Sequence, residues 1–136
     1  MNGLDTEHLH RLAPFSGELG IRLLAAEPDS VRLELDWQER LCTAGGVLHG
    51  GALMSLADTA GALCAVLNLP DGAQGTTTVE STTNLLAAVR EGVVSALATP
   101  LHAGRTLIVV ETELRDARGR LVAKTTQTQA VLRASA

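Results

Sequence analysis

Aromatic side chains are almost missing from this 136-residue chain: it has one Phe, one Trp and no Tyr. A core built from Leu, Val and Ala lets elements pack closely, and the shortage of ring platforms argues against base-stacking recognition of nucleic acid. Basic clusters are lacking too. The formal net charge is −4 and no run of Lys or Arg occurs, so the electrostatic footprint of a duplex-binding protein is absent. The only cysteines, Cys42 and Cys64, form no Cys-x-x-Cys pair and read as small buried hydrophobes in a reducing cytosol. Met1–His10 carries acidic residues and no apolar h-region, which speaks against a secretory signal and for a cytoplasmic protein.

Linkers, repeats and low-complexity tracts are also missing, and 46% of residues are hydrophobic, the share of a folded globular chain. The length suits one domain over residues 1–136, with residues 1–18 as an N-terminal helical extension. Leu9, Leu12 and Ala13 predict a short amphipathic helix over 6–14 that Pro14 stops. A strand is expected over 19–26, then a turn at Pro28-Asp29-Ser30. Val31, Leu33, Leu35 and Trp37 alternate with Arg32, Glu34, Asp36 and Gln38, the pattern of a half-buried strand. A long helix is predicted over 50–68, ended by Pro70-Asp71-Gly72. Four strands follow near 76–87, 92–102, 105–115 and 120–132. They read as one antiparallel meander turning at Arg90-Glu91-Gly92, His102-Ala103-Gly104 and Asp116-Ala117-Arg118-Gly119. Pro100 predicts an edge position or a bulge. One apolar helix wrapped by a curved antiparallel sheet of about six strands is an α+β arrangement.

That helix carries the one residue its composition does not explain. Asp58 lies within Ala52–Leu69, where nearly every other residue is small or apolar. An ionised carboxylate buried there costs several kcal/mol unless something stabilises it, and burial raises its pKa. Structural economy would not place it there. Beside Ser55 and Thr59, and ahead of polar strands, it also favours a buried core helix over a membrane span.

The turn Gly46-Val47-Leu48-His49-Gly50-Gly51 runs directly into the helix. Gly50 and Gly51 let backbone approach a ligand closely, and the first N–H groups of a helix favour negative charge such as an oxyanion. Asp58 lies roughly 11–12 Å along the axis from Gly50. A donor and an attacking carboxylate must each lie about 3 Å from one carbonyl group, so one helix cannot supply both. Two antiparallel copies can, with two sites per symmetric dimer. His49 either holds the turn or does acid–base work. It has no partner at ligand spacing, and His8, His10 and His102 belong to other elements, so neither a metal nor a cofactor is expected. Ser55 and Ser81 lack the context of a Ser-His-Asp triad.

Val47-Leu48-His49-Gly50-Gly51, followed by an apolar helix with Asp58 nine residues after the His, resembles hotdog-fold acyl-CoA thioesterases of the phenylacetate-pathway and 4-hydroxybenzoyl-CoA type. The resemblance spans about 30–133 and includes Leu56-Ala57-Asp58-Thr59-Ala60 and Gly104-Arg105. It implies Asp58 as nucleophile or general base, the Gly50 N–H as the group polarising the thioester carbonyl, His49 as a buttress of the loop, and Thr77 as a hydroxyl orienting water or the carboxylate. Thr43 stands where many relatives have Asn. The resemblance further implies an acyl-CoA substrate, a homodimer with sites at the subunit interface, and pairing of dimers into tetramers. Substrate contacts are expected from Thr43 and Gly51 and, for the CoA phosphates, from Arg90, Arg105 or Lys124. Leu53, Met54 and Ala57 are candidates for the apolar slot that takes the acyl group.

Two other readings share the fold. A non-enzymatic acyl-CoA-binding or effector module has no need of an intrahelical carboxylate. A hydratase or dehydratase places its His and acid differently from the His49-to-Asp58 spacing.

Overall fold

Alternation in the strand over 31–38 decides which side of the sheet becomes the core. The computed structural model describes residues 3–135. Its elements are helices α1 (Thr6–Leu12), α2 (Pro14–Leu19) and α3 (Gly50–Leu67), and strands β1 (Arg22–Glu27), β2 (Ser30–Asp36), β3 (Ala73–Leu85), β4 (Val93–Ala103), β5 (Leu107–Arg115) and β6 (Leu121–Arg133). Val31, Leu33 and Leu35 of β2 are fully buried. The same parity continues into β4 with Val94, Ala96 and Ala98, and into β5 with Ile108, Val110 and Leu114. Each fully buried Val, Leu or Ile in this layer contributes about 1.5–3 kcal/mol of transfer free energy. Trp37 falls just past the strand end, where its indole N–H donates to the Gly46 carbonyl at 3.0 Å.

The sheet is antiparallel throughout, in the order β1-β2-β4-β5-β6-β3. This corrects the expected meander. Of the four strands after α3, β4, β5 and β6 follow one another as hairpin neighbours, whereas β3 pairs with β6 at the far edge. Residues 86–92 therefore do not turn a hairpin at Arg90-Glu91-Gly92. They cross the end of the sheet instead, tied by Leu86 N–H to Val122 O, by Leu48 N–H to Val89 O and by Trp37 N–H to Gly92 O, each at 2.8 Å. Pro100 sits beside an irregularity in the β4–β5 register, on the stretch of β4 that runs past the end of β2. A register irregularity beyond the neighbouring strand's end is a position that proline tolerates.

Pro14 starts a second helix directly after the first, which ends at Leu12 with Ala13 as its C-cap. As the first residue of α2 it supplies a helical φ and gives up an N–H that would be unpaired anyway. Residues 14–19 are accordingly helical, and the strand predicted over 19–26 begins only at Arg22.

α3 is long and apolar enough to cross a bilayer by length and composition, yet it lies on the sheet. Leu53, Leu56, Ala57, Ala60 and Cys64 face the strands and are buried. Burial raises the Cys64 thiol to a pKa of about 11. Closest approach occurs at Gly61. A Cβ there would lie 2.0 Å from Oε1 of the fully buried Gln127 on β6. Gly61→Ala is therefore expected to destabilise the protein by about 1–3 kcal/mol through overpacking, measurable by chemical denaturation.

Candidate functional site

The sheet covers one face of α3, not all of it. Gly51, Met54, Ser55, Asp58, Thr59, Ala62 and Val66 recur at helical spacing on the other face, and Met54 and Val66 are 44% and 38% exposed. Asp58 is on this outer face and open to solvent within one protomer, which corrects the expectation of a carboxylate buried in the core. A helix apolar on both faces has no periodicity from which the side of its single charge can be read. The surroundings still desolvate Asp58 enough to raise its pKa above the ordinary carboxylate value.

A cleft of about 380 Å³ brings Asp58 together with Gly51, Met54, Ser55 and Thr59 of α3 and with Ser81 of β3. Thr59 Oγ1 donates to Ser55 O at 2.8 Å and Ser55 Oγ to Gly51 O at 2.7 Å. Both hydroxyl hydrogens are thereby committed to the helix, so toward the cleft these groups offer lone pairs. Phe15 closes the cleft from α2.

Thr77 is elsewhere. It pairs with Ala130, whereas Thr78 pairs with Gln129 and Ser81 with Gln127. Gln127 abuts Gly61 of α3, so Thr78 and Ser81 lie on the α3 side of the sheet and Thr77 points to the opposite face. This places Thr77 on the face of the sheet away from α3, and it is Ser81 that lines the cleft with Asp58. A bulge between Thr78 and Glu80 reverses the strand's parity, so counting residues from the helix cannot identify Ser81. Ser55 and Thr59 were within reach of sequence reasoning, since both share a helix face with Asp58.

At the start of α3, His49 is the N-cap, with φ −61° and ψ 135°. Its Nδ1 accepts the Gly51 N–H at 2.7 Å, which leaves the ring proton of the neutral form on Nε2. The Ala52 and Leu53 N–H groups are both taken by His49 O, at 2.9 and 3.2 Å. Among the described residues no acceptor takes the Gly50 N–H. His49→Ala is expected to cost about 0.5–2 kcal/mol of stability, with His49→Asn restoring most of it; thermal denaturation reads both.

The loop before His49 is held from two sides. Gly45 and Gly46 have φ of 79° and 73°, a left-handed pair that glycine adopts without strain. Trp37 and Arg90 bind their carbonyls, Arg90 Nη1 donating to Gly45 O at 3.1 Å. Thr43 lies exposed ahead of this turn, its N–H bonded to Val47 O at 2.8 Å. A second cleft of about 370 Å³ joins His49, Cys42 and Arg40 to Gly51, Ser55 and Phe15 of the first.

Other expected substrate contacts are not brought together. Leu53 and Ala57 face the sheet and are buried, so of the proposed acyl-slot residues only Met54 reaches the cleft. Arg90 and Arg105 lie beyond opposite ends of β4, an 11-residue strand, roughly 33 Å apart at about 3.3 Å per residue. Lys124 is paired with Glu111. Among the described residues no three His, Cys, Asp or Glu side chains gather closely enough to hold a metal ion.

Comparison with known proteins places this arrangement. Residues 45–123, which contain the glycine turn, α3 and β3–β5, match the Thioesterase superfamily. The chain is similar to a provisionally named esterase of Saccharolobus solfataricus, with 36% identity over 115 residues, 85% of this chain and 81% of that protein. It is similar also to the 1,4-dihydroxy-2-naphthoyl-CoA hydrolase of Escherichia coli, with 32% identity over 116 residues, 85% of each. Among solved structures, a thioesterase from Haemophilus influenzae superposes with a TM-score of 0.87 at 30% identity, covering 97% of this chain and 93% of that one.

Proposed function

This chain belongs to the Thioesterase superfamily and is a thioester hydrolase of hotdog fold, and we propose that it cleaves acyl-CoA with Asp58 as the reacting carboxylate and the Gly50 N–H as the oxyanion donor. The observation that carries this reading is the pairing pattern at the start of α3. The N–H groups of Gly51, Ala52 and Leu53 are each bonded within the chain, while among the described residues that of Gly50 has no acceptor. A donor fixed at a helix N-terminus costs no reorganisation when charge develops on the thioester oxygen.

In the general-base route Asp58 takes a proton from water as the water oxygen bonds to the carbonyl carbon. The oxyanion rests on Gly50 N–H, the C–S bond breaks, and the CoA thiolate leaves. In the nucleophilic route Asp58 itself bonds to the carbonyl carbon, the C–S bond of that tetrahedral adduct breaks to release thiolate and leave a mixed anhydride, and water then opens the anhydride. Hydrolysis in ¹⁸O-water with enzyme in excess separates them, because label enters Asp58 only through the anhydride.

Gly50 and Asp58 stand eight residues apart on one helix, about 12 Å, so the reading requires a second copy of the chain. Two features support a homodimer. β3 is a 13-residue edge strand bonded only to β6, a template for another strand. The apolar outer face of α3 lies beside it. An antiparallel partner would bring its Asp58 toward this Gly50, and its Arg105 end toward this Arg90 end, where CoA phosphates could be met by both. Aryl and arylacetyl thioesters belong in the first substrate panel beside straight-chain ones, since the E. coli relative is named for an aryl-CoA.

The test is release of free thiol from aryl, arylacetyl and straight-chain acyl-CoAs, read with a disulfide reagent beside size-exclusion chromatography. Turnover by a dimer or a tetramer of dimers is the expected result. Absence of thiol release across the panel, or full activity in a monomer, would overturn it.

A further inference from the structure

α1 and α2 lie against α3 and leave a second opening beside Asp58. This cleft, about 330 Å³, runs between Leu9, Leu12 and Phe15 on one wall and Ala62, Leu63 and Val66 on the other. Asp58 and Thr59 stand at its end, and with Phe15 they also line the polar cleft that holds Gly51 and Ser81. The two openings thus meet at the carboxylate, one almost wholly apolar and the other rich in hydroxyls. Leu12 and Phe15 are 65% and 61% exposed, an unusual outlay of apolar surface on a short helical pair.

We propose that this cleft binds the acyl group of the substrate, that its occupant is a hydrocarbon acyl group larger than one benzene ring, and that Phe15 and Ala62 determine its length. The inference rests on the reading of Asp58 as the reacting carboxylate. With the thioester carbon at Asp58, the CoA arm leaves over the polar cleft and the acyl group enters the apolar one. Val66 is eight residues beyond Asp58, so the cleft runs about 12 Å along the helix. A cavity of about 150 Å³ suffices for benzene, and this one is more than twice that size. Its only lining hydroxyls are Thr59, at the carboxylate end, and Ser16, which already donates to Ala13 O at 2.6 Å. A polar group at the far end of the acyl chain therefore finds no partner. The α1–α2 wall lies outside residues 45–123, the part matched by the superfamily. One wall of the cleft, with Phe15, thus comes from a segment outside the matched region, and the other wall, with Ala62, from within it.

The experiment compares kcat/KM for acetyl-CoA, octanoyl-CoA and suberoyl-CoA in the wild type, Ala62→Phe and Phe15→Ala, with Asp58→Asn alongside. Wild type is expected to prefer octanoyl-CoA to suberoyl-CoA by tenfold or more. Ala62→Phe fills the cleft and is expected to lower the octanoyl-to-acetyl ratio at least tenfold. Phe15→Ala, at an exposed position, opens one wall and is expected to lower that ratio severalfold, which keeps the test decisive if Ala62→Phe does not fold. An unmoved ratio in a folded variant, with Asp58→Asn inactive, would overturn the acyl cleft while sparing the reaction. The same unmoved ratio with loss of the dimer would assign the cleft to subunit contact instead. Turnover retained by Asp58→Asn would overturn the underlying reading.

Discussion

Asp58→Asn is expected to lower kcat for thioester hydrolysis by about 10²- to 10⁴-fold, the usual contribution of a positioned proton acceptor, with the fold intact. Asn keeps the size and polarity of the side chain but can neither take a proton nor attack carbon. The stability of the variant separates this loss from unfolding, and its sign follows from burial. Desolvation raises the native pKa of Asp58 above the unfolded value, so the ionised side chain is penalised by folding. That penalty is fully present above the native pKa and gone below the unfolded one. Asn carries no such penalty. The melting temperature of the variant should equal or exceed that of the wild type at pH 7, and any gain should vanish as pH falls through the carboxylate range. Activity runs the other way, because the reaction needs the ionised form. The acid limb of kcat/KM against pH in the wild type should fall at a pKa above the ordinary value of about 3.9 and be missing from the residual activity of the variant. A variant that keeps wild-type turnover, or loses activity only by melting, would remove Asp58 from the chemistry.

Much of this was legible because single residues left one physical solution. The alternation Val31, Leu33, Leu35 could only be a strand with one face buried, and the helix over 50–68 was bounded by glycines on one side and Pro70-Asp71-Gly72 on the other. What escaped depended on long-range placement. Residues 86–92 look like a turn locally, but β3 is at the far edge, so the chain must cross the sheet. Pro14 stops one helix and begins another, and only the packing of α2 beside α3 distinguishes the two outcomes. The side of α3 that carries Asp58 was hidden by a composition apolar all round. Thr77 was misplaced because a bulge at Thr78/Glu80 reverses which residues face inward, and no residue preference in Thr76-Thr77-Thr78 signals it. The glycine turn and Asp58 stood out as candidate chemistry for a different reason: neither is what a merely structural helix would choose.

Gly50→Pro is expected to lower kcat by about 10²- to 10³-fold, the cost of deleting one oxyanion donor, with little change in melting temperature. Proline removes the N–H and nothing else that the helix uses. Gly50 is the first residue of α3, the position where proline is favoured because its N–H makes no helical bond. The preceding residue, His49, already has the extended backbone that a following proline requires, at φ −61° and ψ 135°. The added ring brings one new contact: a Cβ on Gly50 would meet Leu85 Cδ1 at 2.7 Å. Leu85 is largely exposed and free to turn aside, and Gly50→Ala has the same Cβ with the N–H kept, so the ratio of the two variants isolates the donor. Equal activity in Pro and Ala variants would mean that the N–H does nothing. Combined with Asp58→Asn, the proline variant also tests where the site is. If each site takes Gly50 from one chain and Asp58 from the other, a mixed dimer of the two inactive proteins has one site with both lesions and one with neither. Exchanging subunits at equal amounts should then restore roughly a quarter of wild-type activity. If one chain supplied both groups, every site in the mixture would carry a lesion and no activity would return.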